Sequence, residues 1–401
     1  MPAFYKEWFY KAKRSLTATV ITKPQPKALV FTGADSVKEL CNTIAQFGAS
    51  RVLIVTDKPL VELGVLDSTI SALESYGVGA TIYDGVLPDP TQKVVDDGLA
   101  VLAQSGCDAV LAFGGGSSID AAKVIALAAA NQCKAEDCLG LRQCKEPALP
   151  FFAVPTTAGT GSEATMIAVI SDNETHEKNG VIDPALIPKA TALDPVIMQG
   201  LPAHITAATG MDALTHAIEA YIGVWEVPET KYYCLSAIKL IFDNLPMACS
   251  DGSNLAAREA MAHASYYGGL AITNALVGYV HAVSHNLGAK YGVPHGLGNA
   301  MVLPHVLELM KDVAAPKFAE IARHVNLGNE GDSDAALTEA LITHVKALNE
   351  TIGIPETTDV IKEADIKNLV DAALKEGSGY PTPRFLERAE CETLIRSLMA
   401  A

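Results

Sequence analysis

Strand-like and helix-like segments alternate through the first half of the chain, and this alternation restricts the fold more than any other feature. Short apolar runs occupy residues 51–56 (RVLIVT), 79–83 (GATIY), 109–113 (AVLAF) and 151–154 (FFAV). Helix-like segments fill residues 59–76, 94–105 and 118–131 between them. Parallel neighbours need long crossovers, so this order predicts a parallel sheet flanked by helices. From about Leu201 the texture changes. Segments with a 3.6-residue period cover 210–222, 231–244, 254–287 and the stretch from 304 onward, and β-branched runs disappear. The reading is an N-terminal extension over 1–26, an α/β domain over 27–200 and an all-helical domain over 201–401.

Composition removes several classes. Of 401 residues, 49% are hydrophobic and 19% charged, which supports a large core and excludes global disorder. A net charge of −16 excludes a general nucleic-acid binder, since phosphate contacts need clustered Lys and Arg. The alanine-rich stretch 121–130 is too short to span a membrane and contains Lys123, so it reads as a buried helix. The N-terminus lacks a clean apolar segment for secretion, and a cytoplasmic protein is expected. The eight cysteines include no CxxC pair and read as free thiols, although Cys133, Cys138 and Cys144 cluster.

Three places carry chemistry. The first is Gly114, Gly115, Gly116 and Ser117, between a strand and a helix. Glycines let the backbone approach a pyrophosphate, and the helix offers unpaired N–H groups to the anion. The literal dinucleotide fingerprint is not met, because Ile119 stands at its third glycine position. The second is residues 155–163 (PTTAGTGSE), another loop of small residues after a strand. Thr156, Thr157, Thr160 and Ser162 are candidate donors to phosphate or ribose oxygens. Two such loops in one α/β domain point to a nucleotide site. Asp57, at the end of the first strand candidate, then suits a ribose hydroxyl and repels a 2′-phosphate, favouring NAD over NADP. Its bland alternative is a helix N-cap.

The third place lies in the helical half. Asp212 and His216 are four apart, as are His281 and His285, so each pair stacks on one helix face. His295 follows in a Pro-His-Gly turn. One carboxylate and several imidazoles at such spacing suit Fe²⁺ or Zn²⁺, and donor types alone do not separate the two.

Together these motifs, in this order, resemble the iron-containing (group III) alcohol dehydrogenases. The resemblance runs from about Lys27 to the C-terminus. It includes residues 114–117 with Asp120 and Lys123, 155–163, 209–219 (TGMDALTHAIE), 278–305 and Pro383 with Arg384. It implies an α/β dinucleotide-binding domain plus an all-α domain, the architecture shared with dehydroquinate synthase. It implies that Asp212, His216, His281 and His295 coordinate the metal, Fe²⁺ with Zn²⁺ as the alternative. It places His285 beside the metal, where it is the candidate to relay the proton. Asp57, Gly115, Gly116, Ser117, Thr157, Thr160 and Lys178 are the implied NAD contacts, and Gly180 stands where the family carries a bulkier residue. The implied reaction interconverts a primary alcohol and its aldehyde. The cation polarises the oxygen and hydride passes to or from NAD. A homodimer or larger homo-oligomer is the implied assembly. Rival readings are a polyol dehydrogenase, a dehydroquinate-synthase-like lyase, or a nucleotide- and metal-binding protein without catalysis.

The extension remains outside the resemblance. Residues 1–27 hold six basic residues against one acid, with Phe4, Tyr5, Trp8, Phe9 and Tyr10 among them. Docking on the chain's own acidic body or on a partner subunit is favoured over contact with an anionic membrane.

Overall fold

The computed structural model describes residues 10–12, 14–15, 17–19, 21–175, 177–225 and 227–400. Phe4, Tyr5, Trp8 and Phe9 lie outside the described residues. The chain forms two compact units.

The first unit holds residues 25–201 and 252–269. Strands β1 (Leu29–Thr32), β2 (Arg51–Val55), β3 (Gly79–Tyr83), β4 (Ala109–Gly114), β6 (Phe151–Pro155) and β9 (Ala190–Leu193) form a parallel sheet in the order β1-β9-β6-β4-β2-β3. A smaller sheet joins β5 (Gly140–Leu141), β8 (Lys178–Ile182) and β7 (Ile167–Ser171) in that order. The four strands expected from sequence are present. β1, β5, β7, β8 and β9 are additional.

Alternation along the large sheet divides its side chains between two cores. Leu53, Val55, Val110, Ala112, Phe151 and Ala153 pack with helices α5 (Gln92–Ser105) and α6 (Gly116–Asn131). Val52, Ile54, Leu111, Phe113, Phe152 and Val154 pack on the other face with α2 (Ser36–Gln46) and α4 (Asp67–Ser75). Both faces are covered, which is why these strands read as continuous apolar runs. The expected helix over 59–76 is interrupted. α3 (Lys58–Glu62) stops and α4 starts afresh, because Gly64 takes a left-handed φ of 68° that no helix continues through.

Topology positions the nucleotide loops. From β2 the chain crosses to β3 on one side, and from β4 it crosses to β6 on the other. The β2/β4 boundary is therefore a topological switch point, where open α/β sheets bind ligands beyond the strands' carboxyl ends. Register keeps those ends level: Val55 is opposite Ala112, and Ala112 is opposite Ala153.

The second unit holds the described residues before 25, together with 202–251 and 270–400. Residues 252–269, expected in the helical domain, instead cluster with the α/β unit, since Ser265 Oγ accepts from Gly161 N (3.1 Å) and Arg258 donates to Leu201 O (3.0 Å). The principal helices of the second unit are α7 (Ala203–Ile222), α8 (Pro228–Ser250), α10 (Tyr279–Tyr291), α11 (His295–His324), α12 (Asp334–Thr351), α13 (Ile366–Gly377) and α14 (Arg388–Ser397). The periodic segment 254–287 is two helices, α9 (Leu255–Ala275) and α10, separated where Leu276 adopts a positive φ. α11 packs against α7, α10 and α12. Arg384 ties the middle of α11 to α14 by a bond to Leu309 O (2.8 Å) and a bidentate pair with Glu390 (2.7 Å).

The described residues between 10 and 21 are helical (α1) and belong to this unit. Arg14 is buried. It donates to Tyr380 O (2.9 Å) and Thr382 O (3.2 Å), and its guanidinium lies 4.4 Å from the Phe385 ring centre. Asn274 donates to the carbonyls of Ile21 and Lys23 at 2.9 and 3.0 Å. One buried arginine and one amide thus make specific contacts between the described residues of this segment and the rest of its unit.

Candidate active site

Helix α7 presents Asp212, His216 and Glu219 at i, i+4 and i+7, so all three share a face. Helix α10 adds His281 and His285. His295 is the first residue of α11 rather than part of a turn, with Pro294 at the N-cap. Gly296 lets α11 come close to α7, because a Cβ there collides with the carbonyl oxygen of Ala208. That approach brings His295 Nε2 to 3.4 Å from Asp212 Oδ1. His216 Nε2 and His281 Nε2 each lie 3.7 Å from the same oxygen. Donor atoms of Asp212, His216, His281 and His295 all fall within 4.8 Å of one another.

This set fits a divalent cation. Asp212 is 1% exposed. Burial pushes its carboxyl up, but His216, His295 and His281 outweigh this and hold it well below the usual carboxylate range. His281 is held well below the usual imidazole range by burial and by His216 and His295, so it is neutral with a lone pair to give. Its tautomer is set from behind: Glu219 Oε2 lies 2.6 Å from Nδ1, which leaves Nε2 for the cation. Glu219 also accepts from Gly278 N (2.9 Å) and Val280 N (2.7 Å). Burial pushes Glu219 up, and the hydrogen bonds from Gly278, Val280 and His281 pull the other way, toward the carboxylate that accepts from all three.

Asn299 is a member that sequence reasoning missed. It is fully buried, and its Nδ2 lies 2.7 Å from Asp212 Oδ1, 3.1 Å from His281 Nε2 and 3.2 Å from His295 Nε2. The two hydrogens of one amide nitrogen are thus shared among three ligand atoms. Its i+4 spacing from His295 on α11 was the available signal.

His285 stands beside this set rather than in it. Its ring stacks on His295 at 5.1 Å and meets His281 edge-on at 5.5 Å. Glu376, from α13, lies 2.6 Å from His285 Nδ1, and the same Oε1 accepts from Tyr380 Oη at 2.7 Å. No local pattern in the sequence indicates Glu376.

In the α/β unit, the two glycine- and hydroxyl-rich loops face each other. A Cβ on Gly115 would come 3.3 Å from Thr157 Oγ1, and one on Gly116 would come 2.5 Å from Thr160 Cγ2. Gly116 therefore lets the loops close together without a clash, and Gly115 leaves a side chain only tight space beside Thr157. Gly115 caps α6 with no side-chain bond, so the first N–H groups of a 16-residue helix, Ser117 included, remain for an anion. Thr156 is buried, with its N–H bonded to Gly114 O (3.0 Å). Thr157 and Thr160 are half-buried. Ser162 differs from expectation. Its hydroxyl donates to Asp120 Oδ1 at 2.5 Å, so it ties the second loop to α6 instead of offering a proton to a ligand.

Beneath the loops, Lys123 is fully buried and donates to Thr165 Oγ1 (2.8 Å) and Ile167 O (2.6 Å). Burial lowers it to about 8, against Asp120 and Glu163. Asp57 ends β2 and caps α3, with Oδ1 accepting from Leu60 N at 3.0 Å. Lys178 opens β8 and pairs with Asp89 at 2.7 Å.

A parallel sheet with small-residue loops after the neighbouring strands β4 and β6, and a helical unit with a largely buried Asp–His₃ donor set, are the parts of a metal-dependent dinucleotide enzyme. Comparison with known proteins makes the assignment narrower. The family described as iron-containing alcohol dehydrogenase matches residues 26–195, and its C-terminal domain matches 206–399. The chain is 40% identical over 370 residues to 1,3-propanediol dehydrogenase of Klebsiella pneumoniae, covering 91% of this chain and 96% of that protein. It is 38% identical over 376 residues to NAD-dependent methanol dehydrogenase of Bacillus methanolicus, covering 93% and 98%. A crystal structure of 1,3-propanediol oxidoreductase superposes with a TM-score of 0.90 at 38% identity, covering 94% of this chain and 100% of that one. The chain belongs to the iron-containing alcohol dehydrogenase family. It is an NAD-dependent oxidoreductase that interconverts an alcohol and its aldehyde.

Proposed function

We propose that Asp212, His216, His281 and His295 hold the catalytic cation and that the substrate is a small primary alcohol or diol. The observation that carries the reading is the convergence of three Nε2 atoms on one Asp212 oxygen. The names of the relatives, which act on 1,3-propanediol and methanol, support the substrate class. Bound there, the cation would supply Lewis-acid polarisation of the alcohol oxygen, and NAD would supply the hydride acceptor.

The chain's own residues divide the remaining work. Glu219 fixes the His281 tautomer. His285, oriented through Nδ1 by Glu376, keeps Nε2 for the proton released in alcohol oxidation. Gly115, Gly116 and Ser117 meet the pyrophosphate with backbone N–H groups. Thr156, Thr157 and Thr160 line the facing loop, where Ser162 acts by positioning. Lys178, held by Asp89, stands on the strand next to that loop's continuation. Asp57 uses Oδ1 as a helix cap, and its second oxygen suits a ribose hydroxyl.

We further propose a cytoplasmic homodimer. All eight cysteines are free, and no helix among the described residues is long and apolar enough to cross a membrane. Sedimentation of the full chain tests the dimer. NADH absorbance with a panel of primary alcohols, diols and aldehydes, run in parallel with NADP, tests the activity. Net NADH formation separates this reading from a lyase that uses its nucleotide transiently.

A further inference from the structure

Cys133, Cys138 and Cys144 lie in the α/β unit and take no part in the chemistry above. Cys133 follows the end of α6, where Gln132 adopts a left-handed conformation. Cys138 closes a short 3₁₀ turn, Ala135–Cys138, and is 1% exposed. Cys144 lies in the loop after β5 and is half-buried, as is Cys133. Cys133 Sγ is 3.7 Å from Cys138 Sγ, and Cys144 Sγ is 3.5 Å from Cys138 Sγ. All three sulfurs lie within 4.8 Å of one another.

The backbone that carries them is held independently of the sulfurs. Asn131, at the end of α6, accepts from Lys145 N (3.1 Å) and Glu146 N (2.9 Å) and donates to Glu146 O (3.0 Å). This pins the Cys144 loop beside the helix end that leads into Cys133. Asp96 accepts from Ala135 N (3.0 Å), and Asp137 accepts from Lys134 N (3.0 Å), which fixes the turn before Cys138. The three sulfurs are therefore brought together where one stretch of chain folds back on itself, held by hydrogen bonds at the end of α6, in the 3₁₀ turn and in the loop after β5.

Their spacing matches a coordination geometry. Zn–S bonds of about 2.3 Å at tetrahedral angles put sulfurs about 3.8 Å apart. The two close separations are 3.7 and 3.5 Å. A preformed trio at this distance needs only small side-chain rotations to enclose an ion. A disulfide instead requires one pair to close to about 2.05 Å and leaves the third thiol over.

We propose that Cys133, Cys138 and Cys144 form a three-thiolate site for a zinc-class cation, with one position left for a water or another small ligand. Binding breaks three S–H bonds and forms three sulfur–metal bonds. The protons pass to buffer, and no electrons are transferred. The ion clamps the loop that leads into and out of β5, which pairs with β8 through Gly140–Val181 and Leu141–Ile182. The site is independent of the Asp–His₃ set, and its success or failure leaves that reading untouched.

Cobalt(II) titration of the reduced full chain under exclusion of oxygen tests it. The Asp–His₃ set contains no sulfur, so a thiolate-to-cobalt charge-transfer band reports this site alone. The expected result is one such cobalt per chain, in the native chain and in His281→Ala alike. Cys144→Ser and Cys138→Ser should each weaken cobalt binding by at least the roughly 10–100-fold that loss of even an outer-shell partner costs. Zinc should raise the unfolding midpoint of His281→Ala by about 3 °C at a hundredfold excess over Kd, and not that of His281→Ala/Cys144→Ser. Absence of the band while all three thiols titrate as reduced overturns the proposal. So does a band of full strength in both serine variants.

Discussion

The clearest lever on the metal centre is a residue that does not touch the metal. Glu219 is 5% exposed and accepts three hydrogen bonds, from Gly278 N (2.9 Å), Val280 N (2.7 Å) and His281 Nδ1 (2.6 Å). Glu219→Gln keeps the shape but replaces one acceptor oxygen with an NH₂ group. If that group takes the Oε2 position, it meets two donors, Gly278 N–H and His281 Nδ1–H. Either a buried donor goes unpaired, at about 1–3 kcal/mol, or His281 turns to the tautomer with its proton on Nε2 and ceases to be a ligand. One to three kcal/mol corresponds to the about 10–100-fold loss of metal affinity typical of outer-shell substitutions. If the amide takes the other orientation, it faces Val280 N–H and the same cost arises there. Competition for iron or zinc against a chelator measures the loss directly. Turnover per bound metal should change far less than affinity. Native affinity in a folded Glu219→Gln protein would refute the claim that Glu219 sets the His281 tautomer.

Three further outcomes follow from the geometry. His285→Ala should retain the metal and lose about 10²-fold or more in kcat, the usual worth of a positioned acid–base group; metal analysis beside steady-state kinetics checks it, and full turnover would remove His285 from the proton path. Asp57→Ser should raise NADP use relative to NAD by about 10-fold or more, since a like-charge contact costs several kcal/mol; kcat/KM with both nucleotides checks it. Glu163 is 1% exposed, and burial pushes its carboxyl from 4.5 to about 7 despite Lys123 nearby. The folded state therefore holds a proton that the unfolded chain releases between these values. Stability should fall by about 3 kcal/mol as pH rises from 4.5 to 7, a slope that Glu163→Gln removes in chemical denaturation.

What the sequence disclosed depended on whether the signal was local. The strands at 51–55, 109–114 and 151–155 were legible because a sheet covered on both faces produces continuous apolar runs, and the edge strand 79–83 was legible through its β-branched and aromatic residues and the turn that ends it. β9 is equally buried but only four residues long, and alanine-rich, so no run stands out. β1 is a four-residue edge strand that is largely half-exposed. In the helical half, Asp212–His216 and His281–His285 were visible through i, i+4 spacing. Glu219 at i+7 from Asp212 and Asn299 at i+4 from His295 carried the same kind of signal, though neither residue type announces an outer-shell role. Glu376 is 91 residues from His285, and only the packing of α10 with α13 brings them together. Ser162 shows the opposite failure. A hydroxyl in a phosphate-type loop looked available, but the partner that takes its proton, Asp120, lies 42 residues away on another element.

The central claim is that one cation sits where Asp212, His216, His281 and His295 converge. Crystals of the iron-loaded protein, measured at the iron absorption edge, test it most directly. The expected result is an anomalous peak bonded to one Asp212 oxygen and to Nε2 of the three histidines at about 2.0–2.2 Å. An active, iron-loaded protein whose peak lies elsewhere, or whose peak includes His285 in place of one of these four, would contradict it.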